Sequence, residues 1–254
     1  MLSRTVFTLK VNEGKTLHYN QGSHFHGVLM ELCNEEMANQ LHGPGIKPYS
    51  QWVIRKEEYG YWTINALQKP IEEALVDPIL ANNKQIRIEN AQQSISVLKT
   101  NTMQYSYDQL VENYLLTKTG RYVRIAFLTP TSFKSEGRYQ IFPTAKWIFT
   151  GLIMKFDAFS DNLKIGSDVS PEDFAERLEI RSYRLRTAPY SIEGIRIPAF
   201  IGEIGIWIHG PQSFVNVTNM LLRFGEFSGV GIKTGLGMGA MQIIKEQTHG
   251  AKKD

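Results

Sequence analysis

The chain has 254 residues, 42% of them hydrophobic and 21% charged, which excludes a wholly disordered chain and leaves room for one large core or two smaller ones. The formal net charge of +3 indicates a polyanionic partner only if the Lys and Arg side chains gather on one face. The single cysteine, Cys33, excludes an internal disulfide and a cysteine-based zinc site, and no stretch has the ~20 apolar residues of a membrane span or the pattern of a signal peptide, so we expect a cytoplasmic protein that contacts no membrane.

The first half of the chain alternates strand-like and helix-like patterns. Apolar residues recur at helical spacing from His24 to Leu41, and Gly43-Pro44-Gly45 ends that helix. The resulting order of strand, helix, strand, strand, helix, strand is that of a ferredoxin-like module. The predicted elements are strand 6–11, helix 24–41, strands 51–55 and 59–67, helix 70–80 and a strand within 85–98.

The second half repeats this order after a polar, Thr-rich segment at residues 100–119. We place the boundary there and predict an N-terminal module over residues 1–118 and a C-terminal module over residues 119–254. The fold prediction is therefore α+β, with two ferredoxin-like (βαββαβ, RRM-like) modules in tandem. The further predicted elements are a short helix at 107–116, strand 122–129, helix 143–159, strands 181–186 and 195–209, helix 211–224 and strand 238–245.

The most specific motif is a glycine-rich segment, residues 229–239. Glycine permits close approach of another backbone and leaves amide groups free to face an anion, and a lysine adds a charge suited to phosphate. Glycines that satisfy only turn geometry are the alternative, but turns rarely need five alternating glycines beside a lysine. We predict that this segment holds an RNA backbone through Gly229, Gly231, Lys233, Thr234, Gly235, Gly237 and Gly239.

Two nucleotide-binding motifs fit the same segment poorly. A P-loop needs glycine directly before the Lys-Thr pair, where Ile232 stands, and it needs a helix after the loop rather than before it. Gly235, Gly237 and Ala240 match a relaxed dinucleotide fingerprint, but too little chain follows for the acidic residue expected ~20 positions on. A metabolic enzyme that binds ATP or NAD through these glycines is therefore an alternative that ranks below RNA binding.

A basic strand is a second candidate for RNA contact. Arg184 and Arg186 share one face of the predicted strand 181–186, with Ser182 beside them. Facing RNA, such a row binds phosphates, whereas an ordinary solvated strand face explains the pattern equally well. The aromatic signature strand of an RRM is not matched, which disfavours a generic RRM.

The histidines do not predict a metal site. His24 and His26 lie two positions apart on a helix and do not share a face, so we predict no metal and no cofactor. His42 ends the first predicted helix beside glycines, where it either caps free carbonyls or transfers protons. Lys47 and Tyr49 follow it, either as groups that stabilise charge or as part of a surface turn.

The sequence resembles the CRISPR-associated endoribonucleases that process precursor CRISPR RNA, within the RAMP superfamily. The glycine-rich segment is similar to that family's C-terminal signature, and residues 129–134, 196–200 and 41–49 add to the likeness. The similarity covers most of the C-terminal module and the first fifty residues, but not residues 59–119. It implies tandem ferredoxin-like modules and is closest to members that work beside type III systems.

The resemblance also implies a reaction, a metal-independent transesterification of RNA that leaves a 2′,3′-cyclic phosphate and a 5′-OH. His42 lies where several members have a catalytic histidine, with His26 in reserve and Lys47 and Tyr49 as supporting groups. The implied partners are the repeats of precursor CRISPR RNA and, transiently, a type III effector complex, with the protein a monomer or homodimer. The alternative is a non-catalytic RAMP subunit that only binds CRISPR RNA in an effector complex.

Overall fold

An antiparallel sheet of five strands organises the first half of the chain. The computed structural model describes residues 1–10, 17–81, 85–88, 93–160 and 163–244. The elements of the first half are β1 (Leu2–Lys10), α1 (Gly22–Leu32), α2 (Glu35–His42), β2 (Tyr49–Lys56), β3 (Tyr59–Ala66), α3 (Lys69–Leu75), α4 (Asp77–Ala81), β4 (Gln85–Ile88) and β5 (Gln93–Tyr105). The strand order is β2-β3-β1-β5-β4, and one face of the sheet is buried under α1 and α3.

A second antiparallel sheet, of four strands, organises the other half. Its elements are α5 (Tyr107–Leu110) with a π turn (Val111–Leu115), β6 (Tyr122–Thr131), β7 (Phe133–Ser135), β8 (Arg138–Gln140), α6 (Ala145–Phe159), α7 (Pro171–Arg177), β9 (Leu178–Thr187), β10 (Tyr190–Ile192), β11 (Ile195–Ile197), β12 (Phe200–Ile208), α8 (Gln212–Ser228), a 3-10 turn (Thr234–Leu236) and β13 (Met241–Ile244). The order β13-β6-β12-β9 repeats the order β5-β1-β3-β2 of the first sheet, with two helices as crossovers. The predicted α+β fold of two ferredoxin-like modules is confirmed.

Several predicted elements differ in their bounds. The helix predicted at 24–41 is two helices, because Cys33 has an extended backbone that ends α1. Asn34 then caps the start of α2, since its Oδ1 accepts a hydrogen bond from the Met37 amide at 2.8 Å. The helix predicted at 70–80 divides into α3 and α4, and the strand at 195–209 divides into β11 and β12. The β7–β8 hairpin, α7 and β10 were not predicted, and the one strand predicted within 85–98 is two strands, β4 and β5. Val11, Lys245 and residues 89–92 lie outside the described residues.

The predicted division at residues 118 and 119 falls between the two sheets. β5 continues to Tyr105, further into the polar segment than expected, and pairs with β1 along its length. Leu110 of α5 already belongs to the core of the second half. The exact boundary therefore stays a prediction. In the described ranges, no helix is long and apolar enough to cross a bilayer.

The two modules meet at the C-terminal end of α8. The Glu226 carbonyl accepts hydrogen bonds from Arg4 and, at 3.5 Å, from Asn65 Nδ2. The Phe227 carbonyl accepts from Ser50 Oγ at 2.6 Å. These carbonyls have no partner within the helix, so side chains of the first sheet complete the helix end. This contact places the glycine-rich segment, directly after α8, against the N-terminal module.

Candidate active site

The loop formed by residues 229–239 lies against α1 and β2. A Cβ added to Gly22 would lie 2.6 Å from the Leu236 carbonyl, so the loop and the start of α1 touch through a glycine. Gln51 joins them, since its Nε2 donates to the Gly22 carbonyl at 2.7 Å and to the Gly235 carbonyl at 3.0 Å. Trp62 Nε1 in turn donates to Gln51 Oε1 at 2.9 Å. A buried amide thus fixes the loop of one module to the other.

Most glycines of this loop serve its own conformation. Gly239 has φ 69°, and an added Cβ would lie 1.9 Å from the Val230 carbonyl. Gly229, Gly237 and Gly239 are all buried. The loop residues that line the neighbouring cavity are Gly231, Lys233, Thr234, Gly235 and Leu236. Contact between the predicted loop residues and RNA stays a prediction, and the cavity-facing part of the loop is where it would occur.

The cavity has a volume of about 380 Å³ and lies between the two modules. One wall is the loop together with Met154 and Lys155 of α6. The facing wall contains His26 of α1, and Lys47 and Tyr49 from the chain that follows α2. Three of the four predicted catalytic side chains therefore face the predicted phosphate-binding loop.

The fourth, His42, lies beside this wall. Its ring centroid is 5.6 Å from that of His26, at an interplanar angle of 75°. His42 is the last residue of α2 and is exposed, whereas Tyr49 Oη lies 3.0 Å from His26 Nδ1. Lys47 Nζ donates to the Gly43 carbonyl, which turns the lysine back towards the end of α2. Two helices and a strand thus bring His26, His42, Lys47 and Tyr49 together.

Burial separates the two imidazoles chemically. Burial, together with the smaller effects of the nearby charges of His42 and Lys47, lowers the pKa of His26 to about 4. At neutral pH this imidazole is therefore neutral. Burial also raises the pKa of the Tyr49 hydroxyl, which remains a phenol. A neutral imidazole has one donor and one acceptor nitrogen, so the contact with Tyr49 determines which role is left to His26 Nε2.

Arg184 and Arg186 lie away from this cavity. β9 is the outermost strand of the second sheet, and both arginines are exposed on the sheet face opposite the helices. Arg184 is opposite Glu203 of β12, which forms an ion pair with Arg124 at 2.7 Å. A second cavity, of about 390 Å³, lies at Arg184. A role of this face in RNA binding stays a prediction.

Two side chains of the site were not predicted. Gln51 is buried and joins the modules, but nothing in the sequence distinguishes it from other glutamines of a strand. Lys155 had a usable signal, because it lies three positions after Leu152 on the apolar face of a helix. A lysine on such a face needs acceptors in the folded protein. Among the described residues, no group of three or more His, Cys, Asp and Glu side chains is placed to hold a metal ion.

Comparison with known proteins adds independent evidence. The family model "CRISPR-associated endoribonuclease Cas6" matches residues 125–241. A protein of that name from Streptococcus thermophilus is 33% identical over 219 residues, which are 86% of this chain and 89% of the relative. One from Mycobacterium tuberculosis is 30% identical over 249 residues, 95% of this chain and 78% of the relative.

Solved structures share the fold. A Cas6 product complex superposes with a TM-score of 0.80 at 22% identity, covering 96% of this chain and 99% of that one. A structure described as a RAMP protein binding different RNA substrates superposes with a TM-score of 0.62 at 16% identity, covering 96% of this chain and 100% of that one.

Proposed function

The chain belongs to the family of CRISPR-associated Cas6 endoribonucleases, and on this basis we propose that it cuts the repeats of precursor CRISPR RNA to give mature guide RNA. The observation that carries the proposal is the cavity in which His26, Lys47 and Tyr49, with His42 beside them, face the glycine-rich loop. Proton-transfer groups stand on one wall and a candidate phosphate-binding loop on the other. An RNA strand lying between them would present its phosphate to both.

The reaction we propose is an intramolecular transesterification. A base accepts the proton of the ribose 2′-OH while the 2′-oxygen bonds to the adjacent phosphorus. The bond from phosphorus to the 5′-oxygen breaks, and an acid gives that oxygen its proton. The products are a 2′,3′-cyclic phosphate and a 5′-OH. The positive charge of Lys47, beside both histidines, would stabilise the extra negative charge on the phosphate oxygens.

The two histidines suit the two proton transfers. His26 is neutral at physiological pH, as a base must be, and its hydrogen bond with Tyr49 holds the ring in place. His42 is exposed beside the cavity wall that contains His26, where the departing RNA fragment, which carries the 5′-OH, would leave. We therefore assign His26 as base, His42 as acid and Tyr49 as the group that orients His26.

Binding would involve the loop and the outer sheet face. Lys233 is exposed on the loop, next to Thr234 and Gly235 at the cavity. The loop's backbone hydrogen bonds use other amides, so within the described residues the amides of Lys233, Thr234 and Gly235 donate to no protein acceptor. Such amides bind phosphate oxygens. Arg184 and Arg186 would contact the RNA strand further from the cavity.

Contact with a type III effector complex is part of the same proposal, with the protein acting as a monomer or a homodimer.

The test is cleavage of a repeat RNA by the purified protein in EDTA, with the product ends identified by mass spectrometry. We expect cleavage that EDTA does not affect, a cyclic phosphate, and no cleavage when the ribose at the cut site lacks its 2′-OH. Tight binding without cleavage would indicate the non-catalytic RAMP subunit instead. A 5′-phosphate product, or activity that EDTA removes and magnesium restores, would exclude the transesterification.

A further inference from the structure

One lysine is buried between α6 and the glycine-rich loop. Lys155 Nζ donates to the Ser228 carbonyl at 2.6 Å, the Gly229 carbonyl at 3.3 Å and Thr234 Oγ1 at 3.0 Å. An ammonium has three N–H donors, and each of them has an acceptor here. Burial lowers the pKa of this amine to about 7, and the three acceptors oppose that effect because they bind the charged form. The lysine therefore occupies a site built for an ammonium.

The three acceptors belong to two parts of the chain. Ser228 and Gly229 form the C-terminal end of α8, where carbonyls lack partners within the helix and the helix dipole favours a cation. Thr234 begins the 3-10 turn that lines the active-site cavity. One side chain thus sets the distance between the end of α8 and the turn. An apolar residue of similar size could fill the space, but it would leave the buried Ser228 carbonyl unpaired. The Gly229 carbonyl would keep one donor, Ser228 Oγ at 2.9 Å.

We propose that Lys155 is a positioning residue for RNA binding, which holds Lys233, Thr234 and Gly235 at the cavity wall. Its ammonium is fully used by protein acceptors and faces the proton-transfer groups from the opposite wall. It therefore acts through the loop rather than on the reacting atoms. The RNA part of this inference rests on the proposed function, whereas the effect on the loop does not.

The test compares Lys155→Met with Lys146→Met. Lys146 lies on the same helix but is exposed, with an ion pair to Glu172 at 2.9 Å. Three quantities are measured, namely hydrogen exchange of the loop amides, the Kd for a repeat RNA with its salt dependence, and the single-turnover cleavage rate at saturating protein. In the wild-type protein the amides of Val230, Ile232 and Gly239 donate to backbone carbonyls. Lys155→Met should weaken these hydrogen bonds and therefore speed hydrogen exchange at the three amides.

The same variant should weaken RNA binding by about ten-fold or more, the loss expected when a charge-assisted contact is displaced. The cleavage rate of saturated protein should fall by a smaller factor, because His26 and His42 lie on the other wall. Lys146→Met should match the wild type in all three measurements.

A second variant covers the case in which Lys155→Met fails to fold. Thr234→Val keeps the shape of the side chain but removes one acceptor, and it should move the same readouts in the same direction, with Thr234→Ser between it and the wild type. Wild-type loop exchange and Kd in these variants, or a lowered melting temperature alone, would overturn the inference. The wild-type protein could fail to cut RNA while Lys155→Met still speeds exchange of the loop amides. That pair of results would refute the proposed function but support the positioning of the loop by Lys155.

Discussion

At the scale of single residues, the site depends on how burial treats two imidazoles of the same intrinsic chemistry. His26 is enclosed beside Tyr49 and loses its charge, whereas His42 stays exposed at the end of α2. Their rings are 5.6 Å apart, close enough that a positive charge on one disfavours a charge on the other. Two histidines in such different environments are a suitable arrangement for paired proton transfer, as proposed above.

Replacing His42 by alanine tests the acid. His42→Ala should slow single-turnover cleavage by about a hundred- to ten-thousand-fold, the usual contribution of a positioned proton transfer. RNA affinity should change little, because it is spread over many phosphate contacts. Circular dichroism would check the fold. His209→Ala is the control, since His209 is an exposed imidazole paired with Glu179 at 3.0 Å on the other module. A folded, fully active His42→Ala protein would move the role of the acid to Lys47 or Tyr49.

The pH dependence tests the base. A base works in its neutral form, and a lowered pKa keeps His26 neutral down to acid pH. The cleavage rate should therefore be retained on the acid side of neutrality and fall only as the pH drops through about 4. Lys47→Gln removes one of the charges that lower this pKa, so its acid limb should lie at higher pH, whatever its absolute rate. If the wild-type cleavage rate instead falls on the acid side with a midpoint near the ordinary histidine pKa of about 6.5, a buried His26 is not the base.

At the scale of elements, the site depends on the loop packing closely against β2 and α1. A Cβ on Gly235 would lie 3.0 Å from Tyr49 Oη and 3.1 Å from its Cζ, so the glycine is needed for the loop to pack this closely against Tyr49. The sequence suggested that this glycine admits RNA, whereas the structure places a tyrosine directly against it. The loop is therefore linked mechanically to Tyr49 and, through the contact between Tyr49 and His26, to the proposed base.

Gly235→Ala tests that link. The added methyl should displace Tyr49 from His26 and slow cleavage of bound RNA by roughly ten-fold or more, the range in which small misplacements of reacting groups reduce rates. Gly235→Val should reduce the rate further. Gly27→Ala is the matched control, because a Cβ there meets no atom within 4 Å and alanine suits a helix. Single-turnover kinetics measure the effect, and a Gly235→Ala protein that cuts at the wild-type rate would refute the link.

At the scale of the whole molecule, a net charge of only +3 must serve a polyanionic substrate through local arrangement. Lys233 stands on the loop at the cavity, and Arg184 and Arg186 on the outermost strand of the second sheet. An RNA that contacts both places would extend from the cleft between the modules across the C-terminal module.

Charge removal at the two places tests this path. Lys233→Ala should weaken repeat binding and reduce the slope of log Kd against log salt by about one, as expected for one lost phosphate contact. Replacing Arg184 and Arg186 together by glutamate should reduce affinity more, because the local field reverses. Lys69→Ala, in an exposed ion pair with Glu73 on α3, is the control. Unchanged affinity and slope in the arginine variant would place the RNA elsewhere.

The sequence by itself determined the repeated order of the main sheet strands and the helices that connect them, since periodicity of apolar residues is a local property that the turn residues delimit. The short elements β7, β8, β10 and α7 were not predicted. The sequence also indicated the family, because the glycine-rich segment is contiguous. The interruptions at Cys33 and Pro198 were missed, because a single capping or chain-breaking position competes weakly with the surrounding periodicity.

Only the tertiary structure decided which residues meet. Lys155 reaches Thr234 across 79 positions, and Gln51 reaches Gly235 across 184. Such contacts depend on how two modules pack, which no local pattern records. The pKa of His26 was equally beyond the sequence, because it follows from burial against groups brought in from other elements. The sequence specifies which side chains are present, but the protonation state and the partners of each side chain depend on how the modules pack.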